Sequence, residues 1–217
     1  SMSAGSTVSI ADAALTDNVG TTGGAVANFQ GTLDVMRTEL SGNYSDYLGG
    51  AIFASGPKYT PTPTPGEGEP MTTTITNSEL VGNAAPIGGG AWLSGAKYTS
   101  EDPIPELGQA TIAGTTFSGN EASSGGGLAS KYAETDVSGT TFSGNYAGYG
   151  AGASFGSGEA TVTGSTFADN GDITYGGAGG LAVGKYARFE LQGSTFTGNA
   201  SSGVGGMAVD LATTPST

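Results

Sequence analysis

The sequence predicts an all-β chain that winds as a single-stranded parallel β-helix of about seven coils. Three observations predict it: a motif recurring seven times in one register, a base period of 25 residues, and a composition in which glycine supplies 41 of 217 residues. The motif is an aliphatic residue, four residues, Phe or Leu, two residues, then Asn. It occurs at Ile10/Leu15/Asn18, Val35/Leu40/Asn43, Ile75/Leu80/Asn83, Ile112/Phe117/Asn120, Val137/Phe142/Asn145, Val162/Phe167/Asn170 and Leu191/Phe196/Asn199. Successive asparagines lie 25, 40, 37, 25, 25 and 29 residues apart. A period this short excludes a propeller blade. Gly and Thr are weak helix formers, so paired helices fit poorly.

Each coil is expected to carry three short β segments. One follows a small-residue cluster, as in Gly23-Gly24-Ala25-Val26, Gly49-Gly50-Ala51-Ile52 and Gly205-Gly206-Met207. One holds the aliphatic residue, and one the Phe or Leu. Stacked at about 4.8 Å, seven coils form a rod of roughly 34 Å. The aliphatic residues then form one interior column and the Leu/Phe residues a second, aromatic toward the C-terminus. The asparagines mark a turn. Before them stand Asp17, Gly42, Gly82, Gly119, Gly144, Asp169 and Gly198, residue types that tolerate left-handed backbone. Stacked amides can pass hydrogen bonds along the rod and keep buried polar groups paired. Residues 7–209 form the helix, with insertions at 56–70 and 95–107. Residues 1–6 read as a tag remnant and 210–217 as a tail, so the chain reads as a monomeric fragment of something longer.

Charge and composition exclude several functions. Six Lys and Arg against 19 Asp and Glu give a net charge of −13, so a phosphate-binding surface for nucleic acid lacks its cations. The absence of His and Cys removes His-based triads, thiolate nucleophiles, disulfides and the common zinc sites. No apolar run is long enough to insert this segment in a membrane. No cofactor or metal is expected.

The repeat resembles those of the chlamydial polymorphic outer-membrane proteins and related right-handed parallel β-helix surface proteins. The likeness is carried by Phe-x-x-Asn at Phe117-Ser118-Gly119-Asn120, Phe142-Ser143-Gly144-Asn145, Phe167-Ala168-Asp169-Asn170 and Phe196-Thr197-Gly198-Asn199, paired with the Gly-Gly-Ala clusters. Three coils depart from it with Leu in place of Phe. The resemblance implies a right-handed helix and an extracellular or cell-surface adhesin passenger, whose partner is a protein or glycan on a host or neighbouring cell.

Two segments break the period. Ile52 to Ile75 spans 23 residues and Leu93 to Ile112 spans 19, where regular coils use about nine. Both extras fall at the same corner of successive coils. They contribute Tyr59, Glu67 and Glu69 in the first, and Tyr98, Glu101, Asp102 and Glu106 in the second. Insertions on one face of a solenoid often bind partners, although surface loops also tolerate insertion at little cost. All four lysines precede tyrosines, at Lys58, Lys97, Lys131 and Lys185. A Tyr ladder covered by Lys stems is the favoured reading over a recognition strip. A third candidate is Tyr146, Tyr149 and Tyr175, expected with Tyr44 and Tyr47 in the turn after Asn, where exposed tyrosines can stack on sugars or anchor proteins.

Catalysis is not expected. Glu39 and Glu79 share one column, and a step of roughly 5 Å matches a retaining glycosidase pair, but the sequence places no cation or cleft beside them. Carbohydrate binding or carbohydrate-directed lyase, hydrolase or epimerase action is the competing class. Thr116, Thr141, Thr166 and Thr195 form a column of the kind ice-binding solenoids use, interrupted in the first coils by Ala14, Glu39 and Glu79.

Overall fold

The computed structural model describes residues 6–56, 70–95, 107–172 and 177–210, and all regular structure among them is β. Alternation of Val, Ile and Thr with small polar residues builds these strands, as β-branched side chains suit a pleated, half-buried surface. Thr72–Thr76 and Ala133–Ser138, for instance, alternate strictly between outward and buried positions.

Every strand pairing among the described residues is parallel, and successive repeats pair in the register of the motif. The Leu/Phe segments form a seven-stranded sheet from Ala14–Thr16 to Thr195–Thr197, aligning Leu15, Leu40, Leu80, Phe117, Phe142, Phe167 and Phe196. The aliphatic segments align Ile10, Val35, Ile75, Ile112, Val137, Val162 and Leu191 in a second set. A third set starts after each glycine cluster, from Val26–Phe29 to Met207–Val209. The long bent strands Ala153–Thr163 and Leu181–Gln192 belong to both of these sets and join them into one twelve-stranded sheet. The arrangement is that of a parallel β-solenoid.

Between the asparagine and the glycine cluster lies a fourth strand, seen at Val19–Thr22, Tyr44–Leu48, Glu121–Ser124, Tyr146–Tyr149, Gly171–Asp172 and Ala200–Ser201. Four segments per repeat replace the expected three, and Tyr44, Tyr47, Tyr146 and Tyr149 lie in strands rather than turns. The turn itself is complete at the asparagine. One left-handed residue, with φ between 54° and 64° from Asp17 to Gly198, turns the chain, and pairing resumes directly after it. A second left-handed corner, from Asp12 to Gly193, separates the aliphatic and Leu/Phe segments and went unread in the sequence.

The interior is continuous. Leu40, Leu80, Phe117, Phe142 and Phe167 are fully buried, as are Val35, Ile75, Ile112 and Val162. The phenyl rings stack nearly parallel, with centroids 5.0, 4.8 and 4.6 Å apart from Phe117 to Phe196. Burial of such side chains contributes about 1.5–3 kcal/mol each. The glycine cluster is matched to them in size. A methyl group on Gly90, Gly127, Gly152 or Gly180 would come within 2.5 Å of a backbone carbonyl and 2.8–3.0 Å of the Phe ring in the following repeat. The equivalent positions in the first two repeats hold Ala25 and Ala51, and there the following repeats carry Leu40 and Leu80.

Two polar ladders run beside this core. Asn145 Nδ2 donates to Asn170 Oδ1 and to the Phe117 carbonyl, both at 2.9 Å, while its Oδ1 accepts from Asn120 N at 3.0 Å and Asn120 Nδ2 at 2.9 Å. The same amide-to-amide step repeats from Asn18 to Asn199. The side-chain amide thereby reaches its hydrogen-bonding capacity inside the protein. The second ladder is a buried hydroxyl column, Thr38, Ser78, Thr115, Thr140 and Ser165, continued by Ser194. Each hydroxyl donates to the carbonyl two residues earlier, and in most steps it also accepts an amide N–H from the preceding repeat. Among the described residues, Thr73 Oγ1 is the buried side-chain polar atom without a partner.

Candidate functional site

The fourth strands build an open trough on one side of the stack. Its floor is made of small residues because the repeats there carry Ala84, Ala85 and Pro86, then Ala122 and Ser123, then Gly148. Tyr44 stands at one end, and Tyr146 and Tyr149 at the other, with Glu121 between them. The cavity has a volume of about 730 Å³.

Register fixes this arrangement. Tyr44, Ala84, Glu121 and Tyr146 occupy one position of four consecutive repeats, each bridged to the next. Three steps of about 4.8 Å therefore separate the two outer tyrosines, roughly 14 Å along the stack. Leu48, Ile87, Ser124 and Tyr149 form the neighbouring column. Backbone bonds keep the floor in place, including Ala85 N to Glu121 O at 3.1 Å and Ser123 N to Pro86 O at 2.9 Å. Tyr44 and Tyr146 are 45% and 44% exposed, so each leaves close to half of its surface open to a ligand. Tyr149 is more enclosed. Burial, with the nearby Asp210 carboxylate adding to it, raises its phenol above the usual tyrosine range.

Of the residues singled out in the sequence, Tyr146 and Tyr149 come together here. Tyr59, Glu67, Glu69, Tyr98, Glu101, Asp102, Glu106 and Tyr175 lie outside the described residues. The strands that flank the two insertions are neighbours: Ser55 pairs with Ser94 before them, and Thr72 with Gln109 after them. Ala84 and Glu121 were not grouped with Tyr44 and Tyr146 in the sequence. The signal was present, since each directly follows a motif asparagine and hence shares a column.

The described Lys-Tyr pairs do not form a continuous ladder. Tyr132 and Tyr186 are separated by Ser157, which bonds Tyr132 N and pairs with Tyr186. Each lysine instead lies over its own neighbour's ring, with Lys131 Nζ 4.9 Å from the Tyr132 centroid and Lys185 Nζ 5.0 Å from that of Tyr186. A cation over an aromatic face is an attractive local contact.

Glu39 and Glu79 are register neighbours on the outer face of the seven-stranded sheet, and both are exposed. Ser41 Oγ donates to Glu39 Oε1 at 2.8 Å. The Thr116, Thr141, Thr166 and Thr195 column continues from them on that face. Both arginines bind carboxylates of the preceding repeat, Arg37 to Asp12 at 2.6 Å and Arg188 to Glu159 at 2.9 Å. The Asp12 carboxyl is held below its usual range by its hydrogen bonds to Arg37. Among the described residues no group of three or more acidic side chains is placed to hold a metal ion.

No protein-family model, curated protein or solved structure matches this chain. The likeness to the chlamydial repeats therefore rests on the motif residues themselves.

Proposed function

We propose that the chain is a segment of a non-enzymatic, extracellular or cell-surface protein: a right-handed parallel β-helix of about seven coils that serves as an adhesin-like passenger or stalk and binds laterally. The observation that carries this reading is the tyrosine-walled trough, which spans four repeats on the side of an uninterrupted stack. A rod with closed interior columns presents its chemistry on its flanks. The trough offers aromatic faces, the residues that dominate recognition surfaces. It is lined by one carboxylate, Glu121, whereas hydrolysis of a glycosidic bond ordinarily needs two facing carboxyl groups.

The paired insertions remain part of the proposal as a second lateral surface, because their flanking strands are adjacent. The partner is a protein or glycan on a host or neighbouring cell. The test is adhesion of the purified chain to such cells, beside an assay for reducing-sugar release from polysaccharides. Adhesion without turnover supports the reading, and turnover of any polysaccharide overturns it. Replacing residues 57–69 and 96–106 by short Gly-Ser turns should leave the circular dichroism unchanged and weaken adhesion. Full adhesion by the trimmed chain assigns binding to the trough alone.

A further inference from the structure

We propose that the trough binds a neutral, hydroxyl-rich oligosaccharide laid along the stacking direction, with one sugar ring against Tyr44 and another against Tyr146. This deepens the lateral-binding reading above and rests on it. The trough runs across four repeats, so an extended ligand must follow the stack. Its two aromatic ends stand roughly 14 Å apart, with Glu121 and a floor of Gly, Ala, Pro and Ser residues between them. That spacing suits a short linear chain whose terminal rings each meet an aromatic face while the middle lies over small residues.

The polar groups fit the same ligand. Glu121 lies between the tyrosines and accepts hydrogen bonds without donating any, so it suits the paired hydroxyls of a sugar. Ser123 and the tyrosine hydroxyls both donate and accept. Charge argues against an anionic glycan or a phosphorylated partner: the trough holds a carboxylate, and the chain carries a net charge of −13. An apolar peptide would leave the Glu121 carboxylate desolvated and unpaired, which is costly.

The experiment is an array of neutral and acidic oligosaccharides, followed by titration calorimetry, with the chain and its Tyr44→Ala, Tyr146→Ala and Glu121→Gln variants. A synthetic peptide of residues 57–70 serves as a proline-rich comparison ligand. All three positions are exposed, so thermal melts should match the parent chain. Neutral oligosaccharides should bind, and each Tyr→Ala variant should bind about tenfold more weakly, the loss expected for one aromatic contact. Glu121→Gln should weaken neutral glycans without creating affinity for acidic ones. Binding of the peptide in place of the glycans overturns the proposal. So does glycan binding that none of the three substitutions alters. If glycans fail but the Tyr44→Ala/Tyr146→Ala chain loses cell adhesion, the ligand class is wrong and the lateral-binding reading stands. If the parent chain neither binds glycans nor adheres, both fall.

Discussion

Replacing Asn145 by Ala removes four hydrogen bonds at once, because the side chain donates to Asn170 Oδ1 and the Phe117 carbonyl and accepts twice from Asn120. Two buried donors lose their partner, the Asn120 amide and one Asn120 Nδ2 proton, while the Phe117 carbonyl keeps its place in the parallel ladder. Asn170 Oδ1 keeps the backbone N–H of residue 145. At about 1 kcal/mol or more for each orphaned group, the expected loss is about 2–4 kcal/mol. For a chain of this size, 1 kcal/mol corresponds to roughly 2–4 °C, so the melting point should fall by about 4 °C or more. Asn18, at the first repeat, donates to Asn43 alone among these side-chain contacts, and Asn18→Ala should cost about 1 kcal/mol or less. Asn145→Asp adds a sign. It keeps both acceptor contacts but turns a carboxylate toward the Phe117 and Asn170 oxygens, so burial and those oxygens raise its folded-state pKa above the unfolded value. Its stability is therefore greatest below the unfolded carboxylate pKa and is lost as pH rises through the raised one. Thermal melts by circular dichroism between pH 4 and pH 8 measure all three variants. Equal losses for Asn18→Ala and Asn145→Ala, or an Asp variant that is weaker in acid than the parent by a growing margin, would refute the ladder as a source of stability.

Phe142→Ala should cost about 3–5 kcal/mol, since it empties the middle of a ring stack, whereas Thr141→Ala beside it on the outer face should be nearly silent in the same melts. Gly152→Ala should destabilise by about 1–3 kcal/mol, because its methyl would meet the Gly180 carbonyl oxygen at 2.5 Å and Phe167 Cδ1 at 2.8 Å. Adding Phe167→Leu reproduces the Ala51 and Leu80 combination and should lose less than the two single changes summed; strict additivity in the double-mutant cycle would mean that the ring and the glycine do not set one another's size. Thr73→Val replaces a buried hydroxyl that has no partner among the described residues, and should raise stability by about 1 kcal/mol, read as a higher denaturant midpoint. Tyr149 holds its proton more tightly when folded, so its contribution is intact below the ordinary phenol pKa and is lost as pH rises through the raised value. Ultraviolet titration should show the Tyr149 phenol ionising late, and Tyr149→Phe should flatten the alkaline decline in melting temperature.

The interior columns were legible because the aliphatic, Leu/Phe and Asn positions recur at fixed offsets even where insertions stretch the period. The register of Ile75 on Ile112 or Leu80 on Phe117 follows from that alone. The fourth strand was not, because Tyr44–Leu48 and Glu121–Ser124 share no residue pattern and are held by backbone pairing rather than by a common side chain. The hydroxyl ladder left a signal that alternation obscured: Thr38, Ser78, Thr115, Thr140, Ser165 and Ser194 all stand two residues before the Leu or Phe, but Ser and Thr are ordinary on exposed strands. The trough went unread with the fourth strand, since its walls belong to that strand.

The size match between glycine cluster and ring also says which pieces of this chain can be inherited together. Gly90 sits in the repeat whose own column residue is Leu80, yet its partner is Phe117 in the next one. The change from leucine to phenylalanine thus happens across a joint, not within a repeat. A duplication that copies a stretch from one glycine cluster through the following ring carries a matched pair and can be spliced in anywhere. A stretch cut from ring to cluster inherits half of each match. Moved to follow Ala51, the Phe142 repeat would set a phenyl ring against a methyl group. The lineage of such a rod is expected to show breakpoints that fall between a ring and the glycines after it, and a grafted array built to that rule should fold where one cut between the glycines and the next ring does not.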